Sequence, residues 1–212
     1  MYILATVIFL TVILNYFLAK AGNPHKAEDL EEEERKANAA RRRDLPPGMF
    51  IAPEAEKLPF SDNLKEDKAR LARAQENARR LIGEKMVKLQ PEMSNNDLKY
   101  AYGVARLDEL ISFDENRERF VKALIAWAQE LMKYDMNAEA RAVLEESLHM
   151  KSDYGKSYTL LYDVYLSLGD EEAAEKLKAD VGAEGFLRHL PSLREKIREY
   201  MENGSKAEEG GE

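Results

Sequence analysis

The chain has no cysteine, so it can form neither a disulfide nor a thiolate metal site. Histidine is nearly as scarce. His25, His149 and His189 lie far apart, with no HxxxH spacing, so no metal site and no cofactor is expected. Tryptophan occurs once, as Trp127. There is no GxSxG, no glycine-rich phosphate loop and no HExxH, so the sequence offers no catalytic constellation and is read as a non-enzyme. Basic residues are outnumbered, and a net charge of −8 gives the whole chain no long-range attraction for nucleic acid.

A long hydrophobic run is present at the start. Residues 2–19 (YILATVIFLTVILNYFLA) carry no charge. At 1.5 Å per residue such a helix spans about 27 Å, close to the hydrocarbon thickness of a bilayer. Lys20 ends it, and Tyr16 and Phe17 sit where aromatic rings favour the interface. The expectation is a single-pass transmembrane anchor over 1–20. Lys20, Lys26, Arg35 and Lys36 after the span favour a cytoplasmic location for the rest. The alternative is an exported or secreted soluble protein, because Ala19-Lys20-Ala21 before Gly22 has the small-x-small form of a signal cleavage site.

Residues 21–60 read as a linker. Its first half, AEDLEEEERKANAARRR, places six acids before five bases. Glu-to-Arg spacings of four, such as Glu31 to Arg35, suit a solvated helix. The Arg41-Arg42-Arg43 triplet reads as half of this self-compensating block rather than a lipid or nucleic-acid patch. Its second half, DLPPGMFIAPEAEKLPF, reads as extended and turn-rich, because each proline removes a donor and restricts its predecessor. Met49, Phe50 and Ile51 there either dock on the folded part or serve a partner.

From residue 61 on the pattern is helical. Ser61 or Asp62 is expected to cap a helix running to about Leu89, with Leu71, Ala74, Ala78 and Met86 in one stripe. A second helix is expected over 97–112, ended by a turn at Asp114-Glu115-Asn116. Two helix pairs follow, 119–134 with 137–150 and 154–168 with 170–180. A shift of 34 residues lays Leu124 on Tyr158, Trp127 on Leu161, Leu131 on Tyr165 and Ala140 on Ala174. Such a period, with two helices per unit, marks a solenoid. A short helical turn over 183–190 and a helix over 191–203 with Pro191 in its first position complete the reading, and 204–212 is expected to be a disordered tail.

These residues resemble the tetratricopeptide repeat family. Trp127-Ala128, Leu131 and Ala140 in the first unit carry the likeness, with Leu161, Tyr165, Leu168-Gly169-Asp170 and Ala174 in the second. Gly169 suits a left-handed helix end and Asp170 the next cap. Tyr162, Lys178 and Ser152 depart from the family pattern. The resemblance implies an all-α fold: a right-handed α-solenoid of antiparallel helix pairs over 119–182, flanked by capping helices over 61–118 and 183–203. It also implies a groove for a protein or peptide, lined by Lys122, Ile125, Gln129, Met132 and Lys133 of the first unit and Lys156, Thr159, Asp163 and Leu166 of the second. Asp163 does not fit the family's carboxylate-clamp set. The reading is therefore a membrane-anchored interaction adaptor or scaffold, with self-association through the charged segment left open.

Overall fold

A computed structural model describes residues 24–62, 64 and 66–203. The expected anchor over 2–19, the cleavage site before Gly22 and the tail over 204–212 lie outside the described residues. Among the described residues no helix is long and apolar enough to cross a membrane. These residues form eight α-helices and no strand: α1 (Pro24–Asn38), α2 (Ala69–Leu81), α3 (Asn95–Tyr102), α4 (Val104–Met132), α5 (Asn137–His149), α6 (Gly155–Ser167), α7 (Glu171–Gly182) and α8 (Pro191–Asn203). The fold class is all-α.

The chain divides into two compact units. The smaller joins the segment ending at Leu45 to Met93–Asp108. Its α1 is the solvated helix that the charge pattern suggests, with Lys36 paired to Glu32 at 2.8 Å. Helix α3 starts at a capping box. The Ser94 hydroxyl accepts the Asp97 N–H, and the Asp97 carboxylate is held below its usual range by hydrogen bonds from the Ser94 hydroxyl at 2.7 Å and the Ser94 N–H at 2.8 Å. Tyr100 ties the two helices by donating to the Glu33 carbonyl at 2.7 Å. Gly103 ends α3 at φ +88°, where a Cβ would fall 2.6 Å from the Arg41 carbonyl oxygen, so only glycine fits.

The larger unit comprises Pro46–Glu92 and Glu109–Glu212. Its first segment departs from expectation. Ser61 caps nothing: its N–H and C=O are clamped by the Gln75 side-chain amide, at 3.0 and 2.7 Å, and helix α2 begins only at Ala69. The helix also stops at Leu81 rather than near Leu89. Met86 and Val87 are instead buried in extended chain, where the Ile51 N–H donates to the Met86 carbonyl and the Val87 N–H to that of Phe113. The proline-rich segment is extended and broken by 3₁₀ turns, as its sequence implies, and it docks on the folded core. Phe50 packs on Phe113 with ring centroids 5.9 Å apart, and Phe60 stacks on Trp127 at 4.9 Å.

The expected turn at Asp114-Glu115-Asn116 is absent, and α4 runs through it. Those side chains find tertiary partners instead of capping. Asp114 accepts from the Leu89 N–H at 3.3 Å and from Arg117, and Asn116 donates to the Lys85 carbonyl at 3.1 Å.

From α4 onward the structure repeats itself. Asp135 and Gly169, 34 positions apart, both take the left-handed conformation, at φ +56° and +71°. The Met136 N–H bonds the Leu131 carbonyl at 3.1 Å, and the Asp170 N–H bonds that of Tyr165 at 2.9 Å. Ala140 to Met136 and Ala174 to Asp170 match in the same way, at 3.0 and 3.1 Å. Each turn is a Schellman closure followed by a new helix. In the second, the Asp170 side chain caps α7 by accepting the Ala173 N–H at 3.1 Å. The paired positions Leu124 and Tyr158, Trp127 and Leu161, Leu131 and Tyr165, and Ala140 and Ala174 are all buried.

Residues 183–190 form turns rather than a helix. Leu187 takes φ +40° there, and Phe186 lies edge-on to the Tyr158 ring at 5.0 Å. Tyr158 donates to the Ser152 carbonyl at 2.7 Å. Burial, reinforced by the Asp153 carboxylate, pushes its phenol up to about 12. The folded state therefore holds this proton more tightly than the unfolded chain, whose tyrosines titrate near pH 10. The resulting stabilisation, on the order of 2–3 kcal/mol, is complete below about pH 10 and is lost as pH rises towards 12. Tyr158→Phe is expected to flatten that alkaline decline in unfolding free energy, a change read by denaturant titrations at stepped pH. Helix α8 begins at Pro191 as expected and buries Ile197 and Met201.

Candidate interaction face

The nine residues implied as groove-lining occupy one stripe each on α4 and α6, because spacings of three and four return to the same helix face. On α4, Lys122 and Lys133 are exposed, while Gln129 and Met132 are half-buried. Ile125 is only 7 % exposed and packs into the core beneath them. On α6, Lys156 and Leu166 are exposed, and Thr159 and Asp163 are half-buried.

Much of the charge on this face is already engaged. Lys122 pairs with Glu118 at 3.6 Å and sits 5.3 Å above the Tyr154 ring. Tyr154 and Glu118 together hold its ammonium above the usual lysine range. Since Tyr154 immediately precedes α6 and donates to Glu118 of α4 at 3.2 Å, this contact ties the two stripes together at one end. Lys133 pairs with Glu130 at 2.6 Å. Asp163 accepts from Tyr200 of α8 at 2.7 Å, so the C-terminal helix borders the second stripe. Leu166 and, just beyond α6, Leu168 are 44 % and 42 % exposed, which adds apolar surface at the end of that helix. A face of this kind, with modest charge and an apolar edge, suits a peptide with an apolar anchor better than a highly charged ligand.

Two further polar groupings in the larger unit are illegible in the spacing of the histidines. The first is centred on Arg117, which is 2 % exposed. Its guanidinium donates to the Asp114 carboxylate at 3.2 Å and to the Lys151 carbonyl at 3.2 Å, beyond the end of α5. The second joins Glu146 and His149, one turn apart on α5, to Glu54 of the docked proline-rich segment. Glu146 Oε1 accepts the Glu54 N–H at 3.0 Å and lies 3.3 Å from His149 Nδ1. Glu54 Oε2 lies 3.9 Å from the same nitrogen and 2.7 Å from Lys57 Nζ, which holds the Glu54 carboxyl below its usual range. The one sequence signal for this cluster is Glu146-Ser-Leu-His149; the contribution of Glu54, 92 residues away from Glu146, is tertiary.

An open cleft of about 270 Å³ is lined by Arg70, Arg73, Ala74 and Asn77 of α2 and by Ala123, Ala126 and Glu130 of α4. Comparison with protein-family models, curated proteins and solved structures finds no match for this chain.

Proposed function

We propose that this chain is a membrane-anchored interaction adaptor or scaffold. In this reading α4–α5 and α6–α7 are two tetratricopeptide-like units of a short right-handed solenoid, with α8 as its C-terminal cap. The α4 and α6 stripes receive a protein or peptide partner. Residues 2–19 hold the assembly at a bilayer, with the helical part on the cytoplasmic side. The role is binding rather than catalysis.

The observation that carries the reading is the recurrence, at 34 residues, of the same left-handed turn and the same backbone bonds around it. Repeated hairpins stack through equivalent buried positions and leave their first helices side by side, which is how helical repeats build an extended binding surface. The mixed character of the α4 and α6 stripes fits such a surface. Two units alone bury too little apolar area, so the docked segment over 46–60, helix α2 and helix α8 supply the neighbours that the ends of a solenoid need.

The test is site-specific photocrosslinking in intact cells. A photoreactive residue at Lys122, Lys156 or Leu166 is expected to capture the same discrete partner, whereas one at the exposed Glu175 of α7 captures none. Equal capture at all four positions, or none, would count against the groove. In the same cells the protein is expected to resist alkaline carbonate extraction and to dissolve in detergent. A mature amino terminus at Gly22, with release by carbonate, would replace the anchored adaptor by an exported soluble binding protein.

A further inference from the structure

We propose that Glu54, Glu146 and His149 form a binding site for one divalent transition-metal ion of the zinc class. The site is independent of any partner bound at the α4 and α6 face.

The first observation is convergence. Three side chains of ligating type, from two segments distant in sequence, bring one ligand atom each within 4.8 Å of one another. Metal bonds of about 2.0–2.1 Å in a tetrahedron separate neighbouring ligand atoms by roughly 3.3–3.4 Å. His149 Nδ1 and Glu146 Oε1 already stand at 3.3 Å. The Glu54 oxygen, at 3.9 Å from the imidazole, needs to close by roughly half an ångström to reach that separation. Its side chain is 36 % exposed and has room to do so.

The second observation is a buried charge with no permanent cation in direct contact. The Glu146 side chain is only 2 % exposed, and among the described residues no lysine or arginine lies within ion-pair distance of it. Lys57, paired to Glu54, acts on it only from farther away, and its one direct ionic partner is His149, which is charged only when protonated. A buried carboxylate is costly without a permanent counter-charge. A divalent ion supplies that charge and takes the imidazole in its neutral form. Glu146 Oε1, the oxygen 3.3 Å from the imidazole, also accepts the Glu54 N–H, and a carboxylate oxygen has a second lone pair with which to ligate.

The third is access. His149 is 40 % exposed on its side chain, so the site opens to solvent on that side. An ion can enter there, and water can fill a fourth position. Lys57 competes for Glu54 at 2.7 Å and is displaced from it on binding. Once loaded, the ion ties the proline-rich segment to the end of α5.

The experiment uses the full chain in detergent, stripped with chelator and titrated with Co²⁺, then back-titrated with Zn²⁺. One equivalent of Co²⁺ is expected to give the strong visible absorption of low-coordinate cobalt, and Zn²⁺ to abolish it. His149→Ala and Glu146→Gln are each expected to weaken binding by roughly 100-fold or more, at or beyond the effect of losing an outer-shell partner. Lys57→Ala is expected to strengthen it. Because His149 is half-exposed, its alanine variant keeps the helical circular dichroism of the parent, so lost binding is not lost folding. The double variant His25→Gln, His189→Gln is expected to bind as the parent does. Zn²⁺ is expected to raise the melting temperature of the parent but not that of His149→Ala. Absence of the cobalt band, an undiminished band in His149→Ala, or loss of the band in the His25 and His189 double variant would each overturn the proposal.

Discussion

Trp127→Ala is expected to lower the unfolding free energy by about 3–5 kcal/mol, the usual cost of truncating a large aromatic residue in a closed core. Trp127 is fully buried, and it heads the buried side chains by volume. It reaches from α4 to the docked proline-rich segment, where Phe60 stacks on it with planes 22° apart. Arg79 of α2 covers the outer face of Phe60 at 4.9 Å. Removing the indole therefore opens a cavity and releases Phe60 at the same time. Among the described residues the indole N–H has no hydrogen-bond partner, so no polar interaction there is lost with the ring. Trp127→Phe should for that reason be much milder, because it keeps the stack and deletes an unsatisfied donor. Urea unfolding of the three proteins checks the ranking. A loss under about 1 kcal/mol for alanine would mean that the site collapses around the gap.

Arg117→Ala is expected to cost a similar amount, about 3–5 kcal/mol, for an electrostatic reason. The guanidinium joins three pieces of chain. It faces Asp114, which also receives the Leu89 N–H, and it reaches the carbonyls of Met150 and Lys151 at the end of α5. Carbonyls at a helix end carry partial negative charge and welcome a cation. Without Arg117 the half-buried Asp114 keeps its charge but loses its ion-pair partner, and the α5 carbonyls lose their donor. Arg117→Lys should recover little of the loss, since one ammonium cannot reproduce the fork that contacts acid and carbonyls together. Denaturant unfolding measures both variants. Near-parental stability of the lysine variant would show that charge alone suffices.

Most helices were legible, because amphipathic spacing at 3.6 residues survives in a single sequence, although the same spacing also took in Met86, which lies in extended chain. The paired helices after α4 were legible to within a few residues, because their ends are chemical: Gly169 for a left-handed turn, Asp170 for a cap, Pro191 for a first position. The errors share a cause. Ser61 reads as a cap, but its backbone is claimed by Gln75, and Asp114-Glu115-Asn116 reads as a turn, but two of its side chains are claimed by Leu89, Arg117 and Lys85. Asp135 closes a helix at φ +56° without being glycine, so it escaped a reading that looks for glycine there. The Ser94-x-x-Asp97 box is a local signal, and it starts its helix at Asn95, two residues before the expected Asp97.

By itself, then, the sequence determined the helical class, the 34-residue alternation after α4 and the chemistry of most helix ends, since each of these is settled by neighbours within about one turn. The tertiary structure alone decided that α4 runs unbroken through a polar triplet, that the proline-rich segment is part of the core, and that Glu54 stands beside Glu146 and His149. Each of those outcomes turns on which distant group satisfies a polar or apolar side chain, and no local pattern encodes a partner some 20 to 90 residues away.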